Sequence, residues 1–128
     1  FQPLKVTFKD YNNYNMSEQL KDIDIGLYPL DLSELSEGRG SLKAMVYSSN
    51  SIPCIASKSE SNINLFTENI NILFASSDNW SELISGTSQY EFNKIRTNAY
   101  ELSINNFSIN SVFNKKLHIL KNILNHSK

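Results

Sequence analysis

Short apolar runs and stretches of helical periodicity take turns along the first 76 residues of this chain; beyond them only helical periodicity remains. Residues 4–8, LKVTF, alternate apolar and polar positions with β-branched content and predict a strand, closed by the turn DYNNYN. Residues 16–22 predict a short helix, with Ser17 as cap residue beside Glu18. A second strand is predicted over 23–30, IDIGLYPL, stopped by Pro29 because proline has no N–H for a central ladder. From Ser41 to about Asn50 the pattern is helical, with Ser41 at the cap and Leu42, Met45, Val46 and Ser49 on one face. IPCIAS and INILFAS, residues 52–57 and 70–76, are apolar without alternation, which suits strands buried on both faces. A helix over 60–69 joins them.

The remainder predicts helices only. Trp80, Leu83 and Ile84 mark a short amphipathic segment that Gly86 ends. A longer helix from about Gln89 carries Phe92, Ile95, Ala99 and Leu102 at helical spacing, and Ser108 caps a last helix bearing Val112, Leu117, Leu120 and Leu124. Such alternation predicts right-handed crossovers and an α/β, Rossmann-like parallel sheet covered on both sides. The whole chain is expected to be one domain, with a core over about 4–76 and a helical part over about 79–125. Ligands of such sheets sit beyond the carboxyl ends of the strands. The loops there place Tyr28, Glu34, Glu37, Arg39, Lys43, Lys58, Glu60 and Asn62 along one edge.

Composition restricts the partners. At 128 residues and 40% hydrophobic the chain suffices for a single core. Its 12 basic and 13 acidic residues give a net charge of -1, so it has no general basic field and no nucleic-acid partner is expected. Any anion site must be local. The single cysteine, Cys54, excludes an internal disulfide and points to a reducing, cytoplasmic compartment. No uninterrupted apolar run is long enough to cross a bilayer. The chain begins with Phe1, and the expectation is that it is part of a longer protein.

Candidate chemistry concentrates in EGRGSLK, residues 37–43. A helix N-terminus presents unpaired N–H groups, and glycine lets a bulky anion approach the backbone. Arg39 adds a bidentate fork and Lys43 a movable point charge, so phosphate or diphosphate is the natural guest. The competing reading is that Gly38 and Gly40 only shape a turn, Ser41 caps, and both cations are solvated; spacing alone favours neither. It is not a Walker loop. Elsewhere the signals are weaker. His118 and His126 have no carboxylate or cysteine at metal spacing, and Cys54 lies in an apolar strand where a thiol is inert. Ser57 and Ser59 lack a histidine base, and Asp22 and Asp24 flank the start of a strand.

Four blocks occur in an order that is more specific than any of them singly. Residues 24–30 read DIGLYPL, Gly38 and Arg39 are followed by Lys43, residues 51–57 read SIPCIAS, and NILFASSDNWSELI follows at 71–84. This resembles the C-terminal lobe of a family 4 retaining glycosyltransferase of the bacterial surface-glycan type, in which D-I-G-x-x-P-L precedes G-K-x-x-x-K and G-I-P-V-V-A-S. The resemblance implies the donor-binding lobe of a two-lobed GT-B enzyme that makes capsular polysaccharide, lipopolysaccharide or another surface glycan. It transfers a sugar from a nucleoside diphosphate sugar to a glycan or lipid-linked acceptor, held by an N-terminal lobe. By the same resemblance Arg39 and Lys43 neutralise the donor diphosphate, and Glu37 lies near the sugar or its phosphate. Gly38, Gly40, Ser41, Leu42, Tyr28 and Asn62 form the donor site, with no metal or other cofactor. Val46 stands where many members carry a second glutamate, and Ser51 where they carry glycine. The implied location is the cytoplasm at the inner face of the membrane, with peripheral association. Alone, the chain is expected to be inactive, and an open sheet edge would favour a homodimer. A flavodoxin-like binding or regulatory module, or an interaction domain, is the alternative.

Overall fold

Strand residues that are apolar on both sides of the chain must be covered on both faces of a sheet, and they are. The computed structural model describes residues 5–10, 15–31, 33 and 40–126. In chain order its elements are α1 (Met16–Leu20), β1 (Gly26–Tyr28), α2 (Leu42–Ser49), β2 (Cys54–Ser57), α3 (Glu60–Leu65), β3 (Leu73–Ala75), α4 (Trp80–Gly86), α5 (Gln89–Phe107) and α6 (Ile109–His126). The three strands form a parallel sheet in the order β1-β2-β3, with Leu27 opposite Ile55 and Ile55 opposite Leu73. All residues of β2 and β3 are buried.

Two apolar clusters cover the two faces. On one, Tyr28, Cys54, Ala56 and Phe74 pack with Ala44 of α2 and with Phe66 and Ile72. On the other, Ile55, Leu73 and Ala75 pack with Phe92 and Ile95 of α5, and Trp80 and Leu83 of α4 close over them. α5 belongs to both. Its early residues Phe92 and Ile95 serve the second cluster, while Leu102 and Phe107 pack against the first. Between them Asn98 Nδ2 donates to the Ile70 carbonyl, in the turn before β3, at 2.9 Å. Arg96 lines a small cavity with Ile23, Asp24, Asn50 and Ile52, all of which precede β1 or β2. The helix therefore runs along the amino edge of the sheet and leaves the carboxyl edge to the loops. A capping box starts it: Ser88 Oγ accepts from the Glu91 N–H, and the Glu91 carboxylate accepts from the Ser88 N–H.

Several expectations need correction. The described part of the predicted strand over 4–8 belongs to no strand, and Val6 and Phe8 are exposed, because a strand needs a neighbour and the sheet offers it none. The sheet thus has three strands among the described residues rather than four. β1 is shorter than the predicted 23–30: the Ile23 N–H closes a turn onto the Leu20 carbonyl, and pairing begins where the Gly26 N–H meets the Pro53 carbonyl at 2.9 Å. Its second face is open at Leu27, so coverage on both sides holds for β2 and β3 only. Leu42, Met45, Val46 and Ser49 do share a face of α2, but it fronts a groove against Tyr100, Ile104 and Phe107 of α5. The small residues Ala44 and Ser48 are the ones buried. In α6 the apolar positions Val112, Leu117, Leu120 and Leu124 remain exposed.

Two backbone positions explain residues in the quoted blocks. A Cβ at Gly26 would stand 2.5 Å from Tyr47 Cγ, so the ring of α2 lies directly on the strand backbone. Ser51, just past the end of α2, has φ 56°, the left-handed conformation that glycine adopts most readily. Gly26→Ala should therefore lower stability by about 1–3 kcal/mol through overpacking, and Ser51→Gly should raise it by about 0.5–1 kcal/mol. Urea unfolding of the two variants measures both signs.

Candidate functional site

The carboxyl end of β1 is fastened to the start of α2 by one side chain. Tyr28 is buried, and its hydroxyl donates to the Gly40 carbonyl at 3.2 Å. Gly40 is thereby held immediately before Ser41, the N-cap residue of α2. Helix bonding begins with the Met45 N–H on the Ser41 carbonyl, at 3.0 Å. The Ser41 hydroxyl makes no capping bond; it is buried and has no hydrogen-bond partner among the described residues. By contrast, Ser59 and Ser88 each accept an N–H of the helix they start. The Lys43 ammonium stands 5.7 Å from the centroid of the Tyr28 ring, within reach of a cation–π attraction. Tyr28 thus positions both the helix start and its first lysine. A Cβ at Gly40 would meet no described residue within 4 Å.

Behind this group the end of β2 is tied down from two directions. Ser57 Oγ accepts from the Leu30 N–H at 2.8 Å and donates to the Leu30 carbonyl at 3.1 Å, fixing the chain as it leaves β1. Asn62, fully buried, donates from Nδ2 to the Ser57 carbonyl at 2.9 Å, while its Oδ1 has no partner among the described residues. Lys58 pairs with Glu68 at 3.3 Å and lies 6.0 Å from the Phe74 ring centroid.

Of the residues expected in the site, Tyr28, Gly40, Ser41 and Lys43 come together. The Leu42 side chain is exposed and lines the groove against α5. Asn62 stands behind β2 as a strut between α3 and the strand end. Glu34, Glu37, Gly38 and Arg39 lie outside the described residues. From sequence, Ser57 is set aside as a nucleophile for want of a histidine base; the fold makes it the latch of the β1 exit. The signal for that task is a hydroxyl closing an otherwise apolar strand, since buried hydroxyls take partners.

Burial, not charge, sets the ionisation behind the site. It pushes the Cys54 thiol up to about 12, and it pushes Tyr47 up as well, with Cys54 adding to the effect. Cys54 therefore stays neutral and unreactive in the folded chain. Among the described residues no cluster of three or more His, Cys, Asp or Glu is placed to hold a metal, and no helix is long and apolar enough to cross a membrane. Comparison of the chain with family models, curated proteins and solved structures finds no match.

Ser57→Ala would leave the Leu30 N–H without its acceptor and should cost about 1–3 kcal/mol, read from chemical unfolding. The neutral Cys54 thiol favours the folded chain. That contribution is fully present below the ordinary value of 9.0 and is lost as pH rises through about 12. Unfolding midpoints measured over about pH 8–11 should fall less steeply in Cys54→Ala than in the parent chain.

Proposed function

We propose that this chain is the donor-binding part of a family 4 retaining glycosyltransferase of surface-glycan synthesis. It binds a nucleoside diphosphate sugar at the carboxyl edge of β1 and β2. One observation carries the reading: Tyr28 holds Gly40 at the start of α2 and holds the Lys43 ammonium beside it. An N-terminal helix turn, a backbone at Gly40 that no described residue crowds, and a placed cation together suit the charge of a diphosphate. Two further features support the resemblance. Ser51 keeps the left-handed backbone of the position that is glycine in the family block, and Gly26 is the only residue that fits beneath Tyr47.

The chemistry follows from the charge. When the bond between the sugar and the diphosphate breaks, its electron pair stays on the departing diphosphate. Lys43, with Arg39 four residues earlier in the chain, neutralises that growing charge beside the first-turn N–H groups of α2. These contacts strengthen as the bond breaks, so they lower the barrier as well as binding the donor. Val46, half-buried in an apolar groove beside α1, offers no hydrogen bond to a ribose. The ribose must be held elsewhere.

Titration calorimetry with uridine, guanosine and adenosine diphosphates and the matching monophosphates tests the site. One diphosphate should bind at least about tenfold more tightly than its monophosphate, and Lys43→Ala should remove a comparable factor, as loss of a charge-assisted hydrogen bond does. In an active enzyme, Arg39→Ala or Lys43→Ala should each lower kcat/KM by about 2–4 kcal/mol of transition-state stabilisation. Diphosphate binding unchanged in both variants, or no nucleotide binding at all, contradicts the reading.

A further inference from the structure

α6 is an amphipathic helix whose apolar side is not covered by the rest of the described chain. Its start is tied to the end of α5. The Val112 N–H bonds the Ser108 carbonyl, Ser111 Oγ donates to the Asn105 carbonyl, and Lys115 Nζ donates to Asn106 Oδ1 at 2.9 Å. Ile109, Phe113, Leu117, Leu120 and Leu124 then follow at steps of four, four, three and four residues, which places them on one stripe. They are 87, 61, 37, 57 and 68% exposed. Water on such a stripe is unfavourable, and soluble helices normally bury it.

Charge decides what covers it. Residues 102–128 contain four lysines and no aspartate or glutamate, although the chain as a whole is slightly acidic. By helical spacing Lys116 and Lys121 flank the stripe on opposite sides. A second copy of the same helix would bring lysine against lysine with no counter-charge, which opposes pairing. An anionic surface with an apolar interior satisfies both features. With lysines interrupting its 18 residues, α6 does not cross a bilayer. Its geometry is that of a helix lying in the plane of the interface, with the lysine stems reaching along the apolar layer to the headgroup phosphates.

We propose that α6 docks this chain onto anionic lipid, with the stripe from Ile109 to Leu124 turned into the boundary between headgroups and acyl chains. The inference rests on α6 alone and would stand if the carboxyl-edge site bound no nucleotide.

Co-sedimentation with vesicles tests it. Vesicles of phosphatidylglycerol and phosphatidylcholine in equal parts are compared with pure phosphatidylcholine, at low and high salt. Lys116 and Lys121, beside the stripe, predict binding on the order of 30-fold tighter to the anionic vesicles, weakening as salt rises. The double substitution Phe113→Ser and Leu120→Ser should abolish binding. Its side chains are exposed, so the fold of the rest is retained, and circular dichroism verifies this. The double substitution Lys116→Gln and Lys121→Gln preserves helix propensity, leaves the Lys115 contact to Asn106 intact and should erase the preference for anionic vesicles. Equal binding to both vesicle types, binding to neither, an unchanged preference in the lysine variant, or a dimer that forms through α6 in place of vesicle binding overturns the proposal.

Discussion

β2 has no side that tolerates water. Cys54, Ile55, Ala56 and Ser57 are all buried, so the strand needs a hydrogen-bonded neighbour on each edge and an apolar layer on each face. β1 and β3 supply the edges. α2 covers one face, and α4 with the first half of α5 covers the other. Because α5 also contributes to the first face, it must pass around the sheet, and it does so along the amino edge, fastened by Asn98 to the turn before β3. The carboxyl edge is left for the start of α2 and the loops. The place of the site is thus a consequence of how one short strand is buried.

At that edge, positioning comes from residues that need not touch a ligand. Tyr28 is both a core side chain and a hydrogen-bond donor, so packing of the sheet is transmitted to Gly40 and, through its ring, to Lys43. Ser57 and Asn62 act one layer further back, fixing where the chain leaves β1 and where α3 begins. A phosphate-binding turn on a flexible loop would have to be ordered by its ligand, at an entropic cost. Here the start of the helix is ordered by the core beforehand, which would favour the diphosphate binding we propose.

The alternation of strand and helix was legible because the apolar runs around Cys54 and Leu73 are continuous, whereas Phe92, Ile95 and Ala99 recur at helical spacing. The run over 4–8 misled for the opposite reason: alternation describes a strand's faces but says nothing about whether a partner exists. The face of α2 was readable, but what it meets was not, since Leu42 and Val46 front α5 while Ala44 and Ser48 sit nearest the sheet. Small residues carry no hydrophobic signal, yet they set how closely a helix approaches. Ser41, Lys43 and Gly40 could be named from sequence as a helix start. Their dependence on Tyr28, twelve residues earlier, could not, because it arises only when β1 and α2 are side by side.

α6 shows the same logic from the other side. Its apolar positions recur at helical spacing as those of α5 do, but α5 meets the sheet and α6 leaves it, so the one pattern ends in burial and the other in an exposed, lysine-flanked stripe. The central claim remains the carboxyl-edge site, and amide hydrogen exchange tests it most directly. With a saturating nucleoside diphosphate, the N–H groups of Gly40, Ser41, Leu42 and Lys43 should exchange more slowly while α6 is unaffected. Protection confined to another part of the chain, with residues 40–43 unchanged, would contradict the account.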